Sequence, residues 1–151
     1  MASVSITGKD IVVLDGRIFS DFADADTATL DFPNDIMAGK TGKNGNTIIA
    51  YNSTGKNVDT TLRLVLGSAD DKFLNSRLAS FISDPASFVP MTGEFTKRSG
   101  DGQGNVNSLV YALSTGIPKK IPNTKENVEG DTEQAVAVWQ IRFYNSSRNI
   151  S

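Results

Sequence analysis

The sequence predicts a mainly β domain, a β-sandwich or flattened barrel, that carries one amphipathic α-helix at about residues 69–83. Two patterns predict this fold. Most of the chain alternates apolar and polar residues with a period of two, which is typical of strands that have one buried face. One segment, residues 68–85, places its apolar residues along a helical stripe instead. The length of 151 residues suits a single compact domain that spans residues 1–151.

The clearest strands are predicted at residues 57–66 and 27–32. The inward positions are Val58, Thr60, Leu62, Leu64 and Leu66 in the first segment and Ala28, Leu30 and Phe32 in the second. The residues between them are mostly polar, so each strand has one face suited to a core and one suited to water. Both segments therefore belong to a sheet with a buried side.

The helix is predicted from the stripe and from signals at its two ends. The stripe contains Phe73, Leu74, Leu78, Phe81 and Ile82. Ser68 can cap the N-terminus, with Asp71 three residues later in a variant of the capping box. Asp70 and Asp71 also place negative charge at the positive end of the helix dipole. Asp84-Pro85 ends the helix, because a residue that precedes proline avoids the helical region.

The last predicted strand, residues 132–145, is the most apolar. Its inward positions are Ala135, Ala137, Trp139, Ile141 and Phe143. Val136 and Val138 make the first half of the strand apolar on the opposite face as well. A strand buried on both faces lies either centrally under the helix or against a neighbouring subunit. The preceding residues 116–131 contain two prolines and predict a short edge strand followed by a protruding loop.

The composition removes most catalytic chemistry. The chain has no cysteine and no histidine, which excludes disulfides, thiolate metal sites, cysteine nucleophiles and the commonest general base. A net charge of -2 gives no sign of the basic surface that nucleic acids need. The N-terminus lacks the pattern of a signal peptide, and no apolar run is long enough to span a membrane. We therefore expect a protein made in the cytoplasm, without membrane anchoring, enzyme activity or cofactor.

Three groups of carboxylates were the remaining candidates for chemistry. They are Asp70 and Asp71, then Asp21, Asp24 and Asp26, then Glu126, Glu129, Asp131 and Glu133. The first pair is explained by the start of the helix. The second group lacks the glycine and the terminal glutamate of a calcium-binding loop and predicts a solvated turn. The third predicts an acidic rim beside the last strand, because no nucleophile or base accompanies it.

Residues 36–51 contain Gly39-Lys40-Thr41, which resembles the end of a phosphate-binding Walker A loop. That motif requires an earlier glycine, at a position that Asn34 occupies here, and a helix immediately after the loop. The β-branched run that begins at Thr47 predicts a strand instead. The segment therefore predicts a strand–turn–strand hairpin, with Asn44-Gly45 as a type I′ turn.

Two further hairpins are predicted. Residues 10–19 contain two short apolar runs around Asp15-Gly16, a dipeptide that favours a tight turn. Strands at residues 87–97 and 105–114 flank the polar, glycine-rich residues 98–104. This loop is too polar to pack and predicts a mobile hairpin tip.

Several long stretches resemble a known family. They are "FPNDIMAGKTGKNGNTIIAYN", "DDKFLNSRLA", "TGEFTKR" followed by "DGQGN", and "NVEGDTEQAVAVWQIRF". In this order they are similar to the tail tube, or inner tube, proteins of contractile-tailed bacteriophages. The resemblance covers nearly the whole chain, from "SITGKD" to the final strand. It implies a β-sandwich or barrel with one helix, similar to the tube proteins of type VI secretion and contractile bacteriocins.

The resemblance also implies a function. Tail tube proteins assemble as hexameric rings that stack into a hollow tube, through which phage DNA passes and around which a contractile sheath lies. The implied partners are further copies of the chain and the tail sheath, tape measure, baseplate and tail terminator proteins. The implied location is the virion tail, assembled in the host cytoplasm. The family has no catalytic residues to transfer.

Other functions remain open at this point. A baseplate ring, or the tube of a bacterial contractile injection or type VI-like system, has the same architecture. A ligand-binding β-sandwich predicts exposed aromatic residues gathered in a groove, whereas most aromatics here occupy core positions. An enzyme that uses carboxylates alone is the least supported, because no reactive constellation is present.

The residues expected at subunit or ring contacts lie on the two long hairpins and the last strand. They are Lys40, Thr41, Lys43, Asn44, Asn46, Lys97, Arg98, Asp101, Val136 and Val138. The hairpin residues are expected there because long polar tips at strand ends can reach a neighbour, and the valines because they make a strand apolar on both faces. Acidic side chains are expected to line the lumen, where they would repel passing DNA.

Overall fold

The computed structural model describes residues 6–7, 10–23, 28–123, 130 and 135–151, with the backbone alone described for residue 123. These ranges contain ten strands and one α-helix. The elements are β1 (Ile6–Thr7), β2 (Ile11–Leu14), β3 (Arg17–Ile18), β4 (Ala28–Asp31), β5 (Met37–Thr41), β6 (Thr47–Tyr51), β7 (Val58–Val65), α1 (Ala69–Ser83), β8 (Met91–Gly100), β9 (Val106–Asn123) and β10 (Val136–Ile150).

Eight strands form one antiparallel sheet in the order β3-β2-β8-β9-β10-β7-β4, and β1 also pairs with β8. Strands β2 and β4, from opposite ends of this order, line the same cleft. The sheet therefore curls towards a flattened barrel without closing. Strands β5 and β6 pair only with each other and form a separate hairpin. The predicted mainly β fold with one helix is confirmed.

The inner face of the curled sheet holds the core. Its buried apolar residues are Leu14, Phe19, Val58, Leu62, Leu64, Leu74, Leu78, Met91, Phe95, Leu113, Ala137, Trp139, Ile141 and Phe143. The period-two phase predicted for β7 and β10 is confirmed, because both strands contribute alternate residues to this core. Ala135, which immediately precedes β10, is exposed instead. Strand β10 is central, paired with β9 on one side and β7 on the other.

Two glycines make room for one ring of the core. A Cβ on Gly116 would overlap the ring of Phe143, and a Cβ on Gly93 would lie 2.9 Å from Leu14 and 3.2 Å from the same ring. The pairing of β8 with β9 shifts register between Met91 and Gly93, beside this contact. The aromatic ring therefore packs against bare backbone, where no larger residue fits.

Helix α1 begins as predicted. Ser68 is its N-cap, and the Ser68 hydroxyl accepts a hydrogen bond of 3.3 Å from the backbone N–H of Asp71. The carboxylate of Asp71 accepts from the backbone N–H of Gly67 at 2.9 Å, one residue earlier than the capping box reaches. Leu74 and Leu78 are buried as predicted.

The end of the helical stripe departs from the prediction. Ile82 was expected to face the core, but it is exposed in the last turn of α1. Phe81 is half-buried and rests against Phe88 in an edge-to-face contact, with centroids 5.3 Å apart. Leu66 and Phe32 were also expected inside and are exposed, because both follow the last residue of their strands.

The prediction for residues 116–131 is partly correct. Residues 116–123 are not a separate strand but the second half of the long strand β9, which pairs with β10 along its length. Strand β8 pairs with β9 only as far as Gly116, and no other described strand pairs with residues 117–123 on that side. Both prolines therefore occur in a part of β9 that lies at an edge of the described sheet, where proline is tolerated. The expected loop and the acidic group from Glu126 to Glu133 lie outside the described residues, apart from Gly130.

We expect Gly116→Ala to destabilise the fold, because the added methyl group overlaps the Phe143 ring. Overpacking of this kind costs about 1–3 kcal/mol. Urea unfolding, followed by circular dichroism, measures the change. The control is Gly39→Ala, where the nearest atoms to the added Cβ are 3.9 Å away and the free energy of unfolding should change by less than about 0.5 kcal/mol. Equal effects of the two substitutions would contradict the packing account.

Candidate assembly surface

The β5–β6 hairpin projects from the domain with all ten strand residues exposed. Its cross-strand pairs include Met37 with Tyr51 and Gly39 with Ile49, which places Met37, Ile49 and Tyr51 on one face. Ile49 is 69% exposed and Tyr51 66% exposed. A two-stranded hairpin alone is at best marginally stable in water. An exposed apolar face on such an element is typical of a surface that another molecule covers.

The tip of this hairpin differs from the predicted turn. Gly45 has a φ of 90°, but Asn44 does not have the positive φ that a type I′ turn requires. The backbone N–H of Gly45 donates to Gly42 O at 3.0 Å, and that of Gly42 donates to Asn46 O at 2.7 Å. The loop is therefore longer than two residues, with glycine in the left-handed position. A strand follows the loop, as predicted, so the helix amides that a Walker A phosphate needs are missing here.

The base of the hairpin is firmly held. The backbone N–H of Asn52 donates to Ile36 O at 2.9 Å, and its side chain donates to Asp35 O at 2.9 Å. The Asn34 side chain donates to Thr54 O at 3.3 Å. Gly55 packs so closely against residues 35 and 36 that a Cβ would lie 2.5 Å from Ile36 Cα. These contacts join the two arms of the hairpin at its base, and the Ser146 hydroxyl donates to Lys56 O at 2.8 Å, which ties the segment after the hairpin to β10.

The second predicted contact region is the β8–β9 turn. The predicted loop at residues 98–104 is shorter in the structure, because β8 continues to Gly100. Asp101 organises the turn: its carboxylate accepts from the Gln103 N–H at 2.8 Å and from the Asn105 side chain at 2.8 Å. The side-chain bond from Asn105 and the backbone N–H bonds hold the pKa of Asp101 below its usual value.

The structure distributes the ten predicted contact residues over three places. Lys40, Thr41, Lys43, Asn44 and Asn46 lie exposed on the β5–β6 hairpin, Lys97, Arg98 and Asp101 lie at the exposed end of β8, and Val136 and Val138 lie on β10. The two hairpins belong to different sheets. Val136 is buried and Val138 half-buried within the single chain, so β10 takes the central position that was one of the two alternatives. Their roles as contacts remain predictions.

The outer face of the sheet carries an ion-pair cluster. Arg142 of β10 and Asp59 of β7 are register partners, and the guanidinium donates to both carboxylate oxygens at 2.7 and 3.0 Å. Lys119 of β9 lies 3.6 Å from the same carboxylate. The Arg142 hydrogen bonds outweigh partial burial and hold the pKa of Asp59 below its usual value. The cluster joins three adjacent strands, so these charges are paired with one another within the chain.

Sequence reasoning missed the role of Asp70, which it treated as a helix-end charge. The carboxylate is 1% exposed. It accepts 2.9 Å hydrogen bonds from the backbone N–H groups of Ser20 and Asp21 and from Arg17 Nε. Asp21 reciprocates, because its carboxylate accepts from the Asp70 N–H at 3.3 Å. No local pattern signals this contact, since its partners lie about fifty residues away in sequence.

A cleft of about 420 Å³ lies where the curled sheet stays open. Its lining is mostly apolar and includes Ile11, Val12, Ala28, Leu30, Phe32, Phe95 and Tyr111, with Asp10, Thr29, Thr96 and Lys97. The rings of Phe32 and Tyr111 are 6.0 Å apart at one side of it. This cleft was not predicted, because it depends on how far the sheet curls.

Neither a metal centre nor a membrane span is found in the part of the chain that the structure describes. No group of three or more acidic, histidine or cysteine side chains there could hold a metal ion. Helix α1 is too short and too polar to cross a membrane. Asp24 and Asp26 of the predicted solvated turn lie outside the described residues.

The fold is similar to that of a chain in the PVC sheath–tube complex in its extended state, an extracellular contractile injection system. The TM-score is 0.55, and the alignment covers 95% of this chain and 88% of the other at 10% sequence identity. The predicted tail-tube-like fold class is confirmed at this level. Neither the protein-family models nor the curated proteins compared with the sequence match it.

We expect Asp70→Asn to lower stability at neutral pH by about 1–3 kcal/mol, because one buried charge-assisted network is broken. Burial alone would raise the pKa of Asp70, but the N–H groups of Asp21 and Ser20 and the Arg17 guanidinium together hold it below its usual value. The stabilisation is therefore complete above the unfolded-state pKa of about 3.9 and is lost as the pH falls through the lower folded-state pKa.

Urea unfolding at about pH 6 and about pH 3 tests both parts of this expectation. The wild-type protein should lose more stability than Asp70→Asn between the two conditions. Asp84→Asn is the control, because the Asp84 side chain makes no capping bond and its loss should change stability by less than about 0.5 kcal/mol. An Asp70→Asn protein with unchanged stability and an unchanged pH dependence would contradict the assignment.

Proposed function

We propose that this chain is the tube subunit of a contractile tail. Copies assemble into rings, and the rings stack into a hollow tube that a contractile sheath surrounds. The observation that carries the proposal is the similarity of the fold, over nearly the whole of both chains, to a chain of a sheath–tube complex. The chain's own chemistry supports a structural role, since it contains no histidine or cysteine and the carboxylates of Asp59, Asp70 and Asp71 are engaged in internal contacts.

The β5–β6 hairpin supports the same proposal. Its apolar face is uncovered in the single chain, and hydrogen bonds join its two arms at the base. When one surface of each copy binds a different surface of the next copy, the copies form a closed ring if the rotation between them closes. They form a continuous stack if it does not. The hairpin is thus a natural contact between copies. Lys40 and Lys43 lie at its tip, where they can meet carboxylates of a neighbour.

The sequence resemblance specifies this function further. It supports hexameric rings in the tail of a bacteriophage, with DNA passing through the tube and with sheath, tape measure, baseplate and terminator proteins as partners. A second candidate is the tube of a bacterial contractile injection system. The specific observation that favours it is that the similar complex is itself an extracellular contractile injection system.

The direct test is electron microscopy of the purified protein in negative stain. We expect hollow rings or tubes, and their rotational symmetry gives the number of subunits per ring. A protein that stays monomeric at every concentration and salt condition tried, by microscopy and analytical ultracentrifugation, would contradict the proposal. The neighbouring genes separate the two candidates, because genes for a DNA-containing capsid indicate a phage tail, whereas a sheath gene fits both candidates.

We expect Ile49→Lys to prevent assembly while leaving the folded monomer intact, because Ile49 is exposed in the single chain and would place a charge in the covered face. Sedimentation measures assembly, and urea unfolding measures the monomer. The deletion of residues 42–45 should likewise leave a soluble monomer. The matched control is Ile82→Lys, which adds the same charge at an exposed isoleucine of α1. If both hairpin variants still form full-length tubes, the hairpin is not the contact.

A further inference from the structure

We infer that the receptor for the hairpin is the cleft between β2 and β4 of a second copy, where β6 adds as an extra strand along the open edge of β4. The inference rests on the proposed self-assembly and identifies which two surfaces meet. Three observations carry it: an open strand edge beside an apolar cleft, a hairpin of matching length and character, and a connection that keeps the hairpin out of the cleft of its own chain.

The acceptor is incomplete in the single chain. Strand β4 pairs with β7 on one side, and no described strand pairs with its other edge. That edge faces the cleft, whose opposite wall is β2. An unpaired strand edge beside an apolar cleft is the arrangement that binds an extended segment by strand addition. Leu30, Phe32 and Tyr111 provide apolar surface for the side chains that such a strand would bring.

The donor fits this acceptor. Strand β6 has five residues and β4 has four, so the two can pair along their full length. Alternate residues of a strand point to opposite faces, so Ile49 and Tyr51 can enter the cleft together while Ile48 stays outside. The hairpin residues 36–51 contain two lysines and no acid. The lining of the cleft and the end of β4 carry two carboxylates, Asp10 and Asp31, against one cation, Lys97.

The hairpin does not occupy the cleft of its own chain. Phe32 lines the cleft and Ile36 precedes the hairpin, so only three residues connect them. The Asn52 and Asn34 hydrogen bonds and the close packing of Gly55 hold this connection. A loop of this length can fold a chain back into a hairpin, but here these contacts hold it in an arrangement that leaves all ten strand residues of β5 and β6 exposed. We therefore assign the contact to different copies, which makes it heterologous and able to propagate.

Mixed disulfide formation tests the pairing, because the chain has no cysteine of its own. Two proteins, Ile48→Cys and Thr29→Cys, are mixed under assembly conditions and oxidised. Ile48 and Thr29 are both exposed, and in the parallel register that pairs Ile48 with Thr29 and Ile49 with Leu30 their Cα atoms should come within the roughly 4.4–6.8 Å that a disulfide needs. The control pair is Ile48→Cys with Asn75→Cys, which places the acceptor on the exposed face of α1. We expect a heterodimer from the first pair and none above background from the second.

Hydrogen exchange on the unmodified protein provides a second measurement that no substitution can disturb. On assembly, the amides of β4 and β6 should both become protected. If tubes form but no disulfide joins Ile48→Cys to Thr29→Cys and the amides of β4 are not protected from exchange, this inference is wrong and the proposed function still stands. Protection of β6 alone would overturn it too, since the receptor would then lie elsewhere. A wild-type protein that never assembles would overturn both.

Discussion

Two consecutive carboxylates at the start of α1 hold the helix to distant parts of the sheet. Asp70 binds the chain that follows β3 at one end of the strand order, and Asp71 accepts a 2.7 Å hydrogen bond from the Trp139 indole in the central strand β10. Adjacent residues on a helix point about 100° apart, so the first turn can hold both partners at once. This turn therefore links the chain beside β3, at one end of the strand order, to the central strand β10.

The molecule combines a self-sufficient part with a part that is incomplete. The curled sheet and α1 bury one continuous apolar core and satisfy their main charges internally. The β5–β6 hairpin contributes nothing to that core and keeps its large apolar residues in water. Such exposure weakens solubility and invites association, so natural proteins retain it where a partner covers it. A second copy of this chain can supply both a surface that covers the hairpin and a cleft that accepts it as an added strand.

Sequence patterns predicted the elements that local rules determine. The alternation of β7 and β10, the capping of α1 by Ser68 and the strand after Gly45 follow from period, cap chemistry and β-branching, which are local properties. The incorrect predictions concern residues whose role is determined by contacts with distant parts of the chain. Asp70 was interpreted as a helix-end charge because its partners come from another part of the chain, and the length of β9 was missed because its prolines lie on an edge that only the sheet order reveals. The cleft between β2 and β4 could not be predicted, since curl is a property of the whole sheet.

The position of Trp139 has a spectroscopic consequence. It is the only tryptophan in the chain, it is 1% exposed, and its indole is bound to the first turn of α1. Its emission should therefore be that of an indole shielded from water, and it should move to longer wavelength when the helix leaves the sheet. The hairpin carries a tyrosine and no tryptophan. The intrinsic fluorescence of this protein is thus a signal of folding that assembly through the hairpin leaves nearly unchanged, so the two equilibria can be followed separately in one sample.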